Sequence, residues 1–236
     1  MKIVKNDLFD YKNRYIYQDE DGFKFSLDSI LLAEFVDQKT KGDILDLCTG
    51  NAAIPLILST KMNNKMYGFE IQESVCKLAV DSIKLNNLDN QITVYNDNFN
   101  NALNYFKCES LNTIVCNPPF FKVNESSYIN ENELLSIARH EIEMELNDIF
   151  EISFKLLKSG GILYIVQRAN RLDELIESSI KNRVRVKEIQ FIKTKEDKNP
   201  EIVLLKCVKN AKESVKIKKE ICVDNLSTYQ QLFKEG

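Results

Sequence analysis

Between residues 43 and 166, short apolar runs rich in β-branched side chains alternate with segments whose apolar positions recur at helical spacing. Residues 43–48 (DILDLC), 66–70, 92–95, 113–116 and 162–166 read as strands. Residues 52–59, 73–86 and 146–157 read as helices, and so do 171–181. A helix between two strands carries the chain back to the strand's starting end, so this order predicts a mostly parallel sheet with helices on both faces. Residues 186–192 and 202–208 are also strand-like, but only 193–200 separate them, so they should pair as an antiparallel hairpin. Gly160-Gly161 after Lys158 reads as a helix stop that feeds the next strand. The expectation is an α/β, Rossmann-like fold with a seven-stranded sheet and an antiparallel last strand.

Composition narrows the class. A chain of 236 residues that is 44% hydrophobic can build a core without staples. The cysteines at 48, 76, 108, 116, 207 and 222 form no CxxC pair, and His140 is the only histidine. A Cys/His metal site is therefore not expected, and unpaired thiols suit a reducing compartment. The N-terminal MKIVKNDLFD lacks the apolar core of a signal peptide, and no apolar run reaches the roughly 18–20 residues of a membrane span. A cytoplasmic monomer is expected. With no repeat and no linker-like stretch, residues 1–236 read as one domain. Residues 1–42 would cover the site, 43–208 form the core and 209–236 append to it.

The net charge of −3 hides an asymmetry. Residues 181–219 hold 13 Lys/Arg against 5 Asp/Glu, whereas 125–151 hold 8 acidic residues against Arg139 alone. Lys206, Lys209, Lys212, Lys216, Lys218 and Lys219 could grip phosphates, or could equally belong to a solvated segment.

In doubly wound sheets, ligands sit at the carboxyl ends of the strands. The first strand runs into Asp46-Leu47-Cys48-Thr49-Gly50-Asn51-Ala52, a small-residue turn that lets backbone N–H groups approach a ligand. By itself this is a weak signal, because Cys48 and Ala53 hold two of the places that a three-glycine dinucleotide fingerprint requires. Glu70 closes the second strand 20 residues beyond Gly50, where a carboxylate can accept from both ribose hydroxyls. Asp97 follows the third strand, placed to accept from an adenine amine, with Asn98 beside it and the Phe99 ring nearby.

The fourth strand ends in Asn117-Pro118-Pro119-Phe120, the sharpest motif in the chain. A nucleobase amine is a poor nucleophile because its lone pair is delocalised into the ring. Two acceptors, the Asn117 amide oxygen and the Pro118 carbonyl, could each take one amine hydrogen and turn that lone pair out of conjugation. Proline here stiffens the turn and removes a competing N–H. Phe120 would offer a stacking face, worth about 1–3 kcal/mol. Such chemistry needs positioning and fixed dipoles, with no prior deprotonation.

With these residues the chain resembles the class I S-adenosylmethionine-dependent amino-methyltransferases, and more closely the bacterial tRNA(Val) adenine-N6 methyltransferases. The likeness extends to Phe25-Ser26-Leu27-Asp28-Ser29-Ile30-Leu31-Leu32, to Ala138-Arg139-His140-Glu141 and to Gln167-Arg168-Ala169-Asn170-Arg171-Leu172. A parallel sheet ending in an antiparallel hairpin is also the methyltransferase variant of the Rossmann plan. The resemblance implies S-adenosylmethionine as cofactor, lined by Asp46, Cys48, Gly50, Glu70, Asp97 and Asn98, with Phe25 and Asp28 closing over it. It implies Asn117, Pro118 and Phe120 as the catalytic corner, and Pro119, Phe121, Arg139 and His140 as substrate-facing. Its partner would be tRNA, methylated at an adenine N6 beside the anticodon. Cys48 and Ala52 depart from the pattern, since such families often carry glycine there. Methylation of a guanine N2 in rRNA, of a protein glutamine N5, or a non-catalytic nucleotide-binding scaffold are the competing readings.

Overall fold

A computed structural model describes residues 2–8, 11, 13–20, 26–119 and 146–223. Its centre is a sheet in which β3 (Ile44–Asp46), β4 (Met66–Phe69), β5 (Ile92–Tyr95), β6 (Leu111–Cys116) and β7 (Leu157–Arg168) run parallel. β9 (Ile202–Lys209) lies antiparallel between β7 and β8 (Val184–Lys193). The spatial order is β5-β4-β3-β6-β7-β9-β8. The expected seven strands and antiparallel last strand are therefore all present. Two short strands extend the far edge beyond them, β10 (Lys216–Ile217) and β11 (Ile221–Cys222), both parallel to β8.

Period-two alternation distributes the core between two faces. One cluster takes Ile44, Val115, Tyr164, Val166, Ile202 and Leu204. The other takes Leu45, Ile114, Cys116, Leu163, Ile165, Val203 and Leu205. Both faces are covered, so the central strands read as continuous apolar runs. Helices α1 (Leu27–Phe35), α2 (Ala53–Leu58) and α3 (Glu73–Leu85) supply residues to the first cluster, and α4 (Leu146–Leu156) and α5 (Leu172–Lys181) to the second. In α3, Val75, Cys76, Ala79 and Ile83 share the buried face, while Glu73 and Lys84 suit the helix dipole at opposite ends.

Two features depart from the sequence reading. The chain enters β7 directly after α4, and Gly160 lies inside that strand. The pairing there is irregular, because Leu157 pairs Leu111 whereas Ile162 already pairs Thr113. An unanticipated antiparallel pair is formed by β1 (Ile3–Asp7) and β2 (Tyr15–Asp19). A two-stranded ribbon is marginal alone in water. Here α3 holds it: Tyr17 N donates to Ser82 Oγ at 2.9 Å and Tyr15 N to Asn86 Oδ1 at 3.0 Å, and Asn86 Nδ2 returns a bond to Tyr15 O at 2.7 Å.

β3 pairs with β4 on one side and β6 on the other, so the chain reverses its winding direction there. Asp46 is in register with Gly68 and with Val115. The carboxyl ends of β3, β4 and β6 thus meet at one edge, the place where such sheets bind ligands.

Candidate active site

The turn after β3 is fastened to both neighbouring strands. Leu47 N donates to Val115 O at 3.0 Å, and Thr49 N to Phe69 O at 2.9 Å. The second bond draws Thr49 against β4, where a Cβ on Gly68 would meet the Thr49 side chain at 2.8 Å. Gly50 has φ +55°, in the left-handed region. Ala52, just ahead of α2, has φ +68°, which explains why glycine suits that place. Asn51 is fully buried and its Nδ2 donates to Tyr17 O at 3.1 Å, tying the turn to the N-terminal hairpin.

Two carboxylates flank this turn. Glu70 Oε2 accepts from Gly50 N at 3.1 Å and Oε1 from Gln72 N at 2.8 Å. Burial raises the Glu70 carboxyl above its ordinary range, against the pull of those N–H groups. Asp46 is 1% exposed, and burial pushes its carboxyl up to about 7. The Thr49 hydroxyl and the Cys48 N–H oppose that rise, and the Glu70 charge adds to it. Asp46 Oδ1 accepts from Cys48 N at 3.4 Å, whereas the buried Oδ2 has no hydrogen-bond partner among the described residues.

At the end of β5, Asn96 Nδ2 donates to Glu70 O at 2.8 Å, joining that strand end to β4. Asp97 Oδ1 accepts from Asn98 N and Asn101 Nδ2, and Oδ2 from Tyr105 OH at 2.8 Å. These bonds hold the half-buried Asp97 carboxyl below its ordinary range, with Asn101 the largest influence. Asn98 Oδ1 accepts from Asn100 N at 2.9 Å and so caps the 3-10 helix Phe99–Asn104. Phe99 does not offer the ring face expected of it: it is 4% exposed and packs into the second core cluster. Tyr105, 43% exposed, is the accessible ring beside Asp97 and packs on Tyr95 at 4.5 Å between centroids. Sequence pattern offers no means of choosing Tyr105 over Phe99.

At the end of β6, Asn117 is half-buried, Pro118 is buried and Pro119 is exposed. Asn117 Nδ2 donates to Ser29 Oγ at 2.9 Å. Ser29 belongs to α1, whose residues 28–33 are buried. Its neighbour Asp28 is also buried. Burial raises the Asp28 carboxyl, while the Arg168 charge and the Ser26 side chain lower it. The Cys116 thiol, next to Asn117, donates to the Cys48 sulfur at 3.6 Å. Burial raises the Cys116 thiol well above its ordinary range, which makes it a poor nucleophile.

One edge of the sheet therefore gathers Asp28, Asp46, Cys48, Gly50, Glu70, Asn117 and Pro118, with Asp97 and Asn98 linked through Asn96. Phe25, Phe120, Phe121, Arg139 and His140 lie outside the described residues. The lysine series divides. Lys209 is 3% exposed, with Nζ donating to Glu109 Oε1 at 2.8 Å and Leu157 O at 2.7 Å over the Phe154 ring, so it is a core cation and no phosphate grip. Lys206 pairs with Glu188 at 3.4 Å, and Lys218 lies over the Phe35 ring. Lys212, Lys216 and Lys219 are exposed. Among the described residues no cluster of three His, Cys, Asp or Glu could hold a metal, and no helix is long and apolar enough to cross a membrane.

The model of the methyltransferase small domain matches residues 24–193. A tRNA1(Val) (adenine(37)-N6)-methyltransferase of Actinobacillus pleuropneumoniae serotype 7 is 26% identical over 179 residues, covering 75% of this chain and 73% of that protein. One of the same name from Phocaeicola vulgatus is 24% identical over 203 residues, covering 86% and 84%. Among solved structures, a predicted O-methyltransferase from Agrobacterium tumefaciens superposes with a TM-score of 0.62 at 16% identity, covering 84% of this chain and 87% of that one. At that identity the likeness is one of fold.

Proposed function

The chain belongs to the methyltransferase small domain family, and from that premise we propose that it moves a methyl group from S-adenosylmethionine to the exocyclic N6 amine of an adenine in tRNA, beside the anticodon of a tRNA(Val). The protein is an enzyme, a methyltransferase; the base and the RNA are the proposed part, supported by relatives named for that reaction. The observation that carries the reading is the amide of Asn117. Its nitrogen is engaged by Ser29, which leaves Oδ1 as the end available to accept from an amine.

The residues at the strand ends suit the cofactor. Asp46 Oδ2, buried and without a hydrogen-bond partner among the described residues, is an acceptor that suits the amino group of the methionyl end. The Glu70 oxygens accept the Gly50 and Gln72 backbone N–H groups and, with two lone pairs each, can still accept from ribose hydroxyls. The Gly50 backbone brings the turn close, and Cys48 and Asn98 complete the lining. Asp97 would hold the adenine amine, and Phe25 and Asp28 would close over the site. The bound cofactor supplies an electrophilic methyl on a sulfonium centre.

Asn117 Oδ1 and the Pro118 carbonyl each accept one hydrogen of the substrate amine. Held this way, the nitrogen presents its lone pair instead of sharing it with the ring. No side chain removes a proton beforehand, since the amine becomes acidic only once methylated, and fixed dipoles carry the rate. Phe120 stacks on the base, and Pro119, Phe121, Arg139 and His140 face the RNA. The chain acts as one methyltransferase domain, with residues 1–42 covering the site. Incubation with unmodified total RNA and methyl-labelled cofactor, followed by nucleoside analysis, tests the reading. N6-methyladenosine in tRNA is expected. Labelled N2-methylguanosine in rRNA, or labelled protein, would overturn it.

A further inference from the structure

We infer that Tyr105 is a positioning residue, which fixes the Asp97 carboxylate as an acceptor and so lets the site tell an adenosyl cofactor from its 6-oxo counterpart. This rests on the reading of Asp97 as the group that meets the adenine amine. A 6-amine donates, whereas the 6-oxygen of hypoxanthine accepts. A fixed carboxylate pairs with the first and repels the second. One free to swing into water would discriminate poorly.

Three donors converge on Asp97. Oδ1 accepts from Asn98 N at 2.7 Å and from Asn101 Nδ2 at 2.8 Å, and Oδ2 accepts from Tyr105 OH at 2.8 Å. These bonds keep the carboxyl ionised at neutral pH. An ionised carboxylate has no proton to give, so the direction of each bond is settled: the hydroxyl must donate and the amide must present its nitrogen. Oδ1 is served twice and Oδ2 once, so Oδ2 has room for a further donor. Tyr105 is itself held. Its N donates to Ala102 O at 3.0 Å, and its ring packs on Tyr95 at 4.5 Å and edge-on to Phe69 at 5.3 Å between centroids. Phe69 is 1% exposed and immediately precedes Glu70. The Tyr105 hydroxyl thus ties Asp97 to the strand end that carries the ribose acceptor, while the ring does the packing. Tyr105 acts on the cofactor only through Asp97.

The test measures calorimetric Kd for S-adenosylhomocysteine and S-inosylhomocysteine with the full chain, Tyr105→Phe and Asp97→Ala, and thermal midpoints alongside. The unaltered protein should prefer the adenosyl compound. Tyr105→Phe keeps the ring and should keep the midpoint, while weakening the adenosyl compound about fivefold and leaving the inosyl compound unchanged. Asp97→Ala should erase the preference. An unchanged preference in Tyr105→Phe beside a lost one in Asp97→Ala would overturn the role of Tyr105 alone. So would equal weakening of both compounds by Tyr105→Phe, which marks a packing residue. A preference that survives Asp97→Ala, or is absent from the unaltered protein, would overturn the inference at its root, in the assignment of Asp97.

Discussion

The backbone N–H of Gly50 donates to Glu70 Oε2 at 3.1 Å, so the turn after β3 is latched to the carboxylate that ends β4. The same carboxylate takes Gln72 N on its other oxygen. Glu70→Ala should leave both N–H groups unpaired, costing about 2 kcal/mol or more, and should abolish measurable cofactor binding. Glu70→Gln keeps an acceptor and should retain most of the stability while weakening the cofactor. Urea unfolding and calorimetric titration separate the two effects.

Asp46 gives the protein a pH signature. Its carboxyl rises from an ordinary 3.8 to about 7 in the folded chain, so between these values the folded state binds more protons than the unfolded one. Stability contributed by this group is present at low pH, falls as pH rises from about 4 to about 7, and levels off above. Asp28 and Glu70 are raised as well and act in the same direction. Asp46→Asn should flatten the decline and stabilise the protein at pH 8, by roughly 2–4 kcal/mol. The same variant should bind cofactor more weakly. An unfolding series across pH 4–8 reads the first effect and a binding titration the second.

Ala52 occupies the left-handed region at φ +68°. That conformation costs an L-residue roughly 1–2 kcal/mol, part of which glycine would return as unfolded-state entropy. Ala52→Gly should stabilise the protein by about 0.5–1 kcal/mol in urea unfolding. A loss of stability would mean that the Ala52 methyl packs better than its backbone fits.

The strand–helix alternation and the strand-end residues can be read from the sequence, because continuous apolar runs and helical spacing are local patterns. The hairpin of β1 and β2 cannot. Its placement depends on Ser82 and Asn86, far along the chain. Nor can the choice between Phe99 and Tyr105, since both are aromatic and only the 3-10 helix decides which one turns inward. Gly160-Gly161 has the composition of a helix end, but α4 stops at Leu156 and the pair interrupts β7 instead. Ser29 falls inside a segment the sequence singles out, but its bond to Asn117 spans 88 positions and only the fold reveals it.

Asn117→Ala should lower methyl transfer by about 10²–10³-fold, comparable with removal of a donor from an oxyanion hole, while leaving cofactor affinity within about twofold. Single-turnover kinetics with calorimetry checks both halves. Loss of cofactor affinity along with activity would sink the separation of roles.

The lysines should separate by burial. Lys209→Met removes the donor to Glu109 and Leu157 O, and should lower the thermal midpoint by several degrees without altering the salt dependence of RNA binding. Replacing exposed Lys212, Lys216 and Lys219 with glutamine should leave the midpoint alone. If they meet phosphates, the slope of log affinity against log salt should become shallower by about 0.7–0.9 for each phosphate no longer neutralised. An unchanged slope would rule out that edge as the RNA surface.

The docking of β2 on α3 has a bearing on synthesis. Tyr15 and Asn86 are 71 positions apart, so the hairpin's anchor is translated long after the hairpin itself. Until α3 emerges from the ribosome, β1 and β2 lack the helix they settle on, and a ribbon of this size does not persist alone. Asn51, which binds Tyr17 O, is also waiting for that event. The turn after β3 should thus mature late, closing only when the β1–β2 ribbon finds its place.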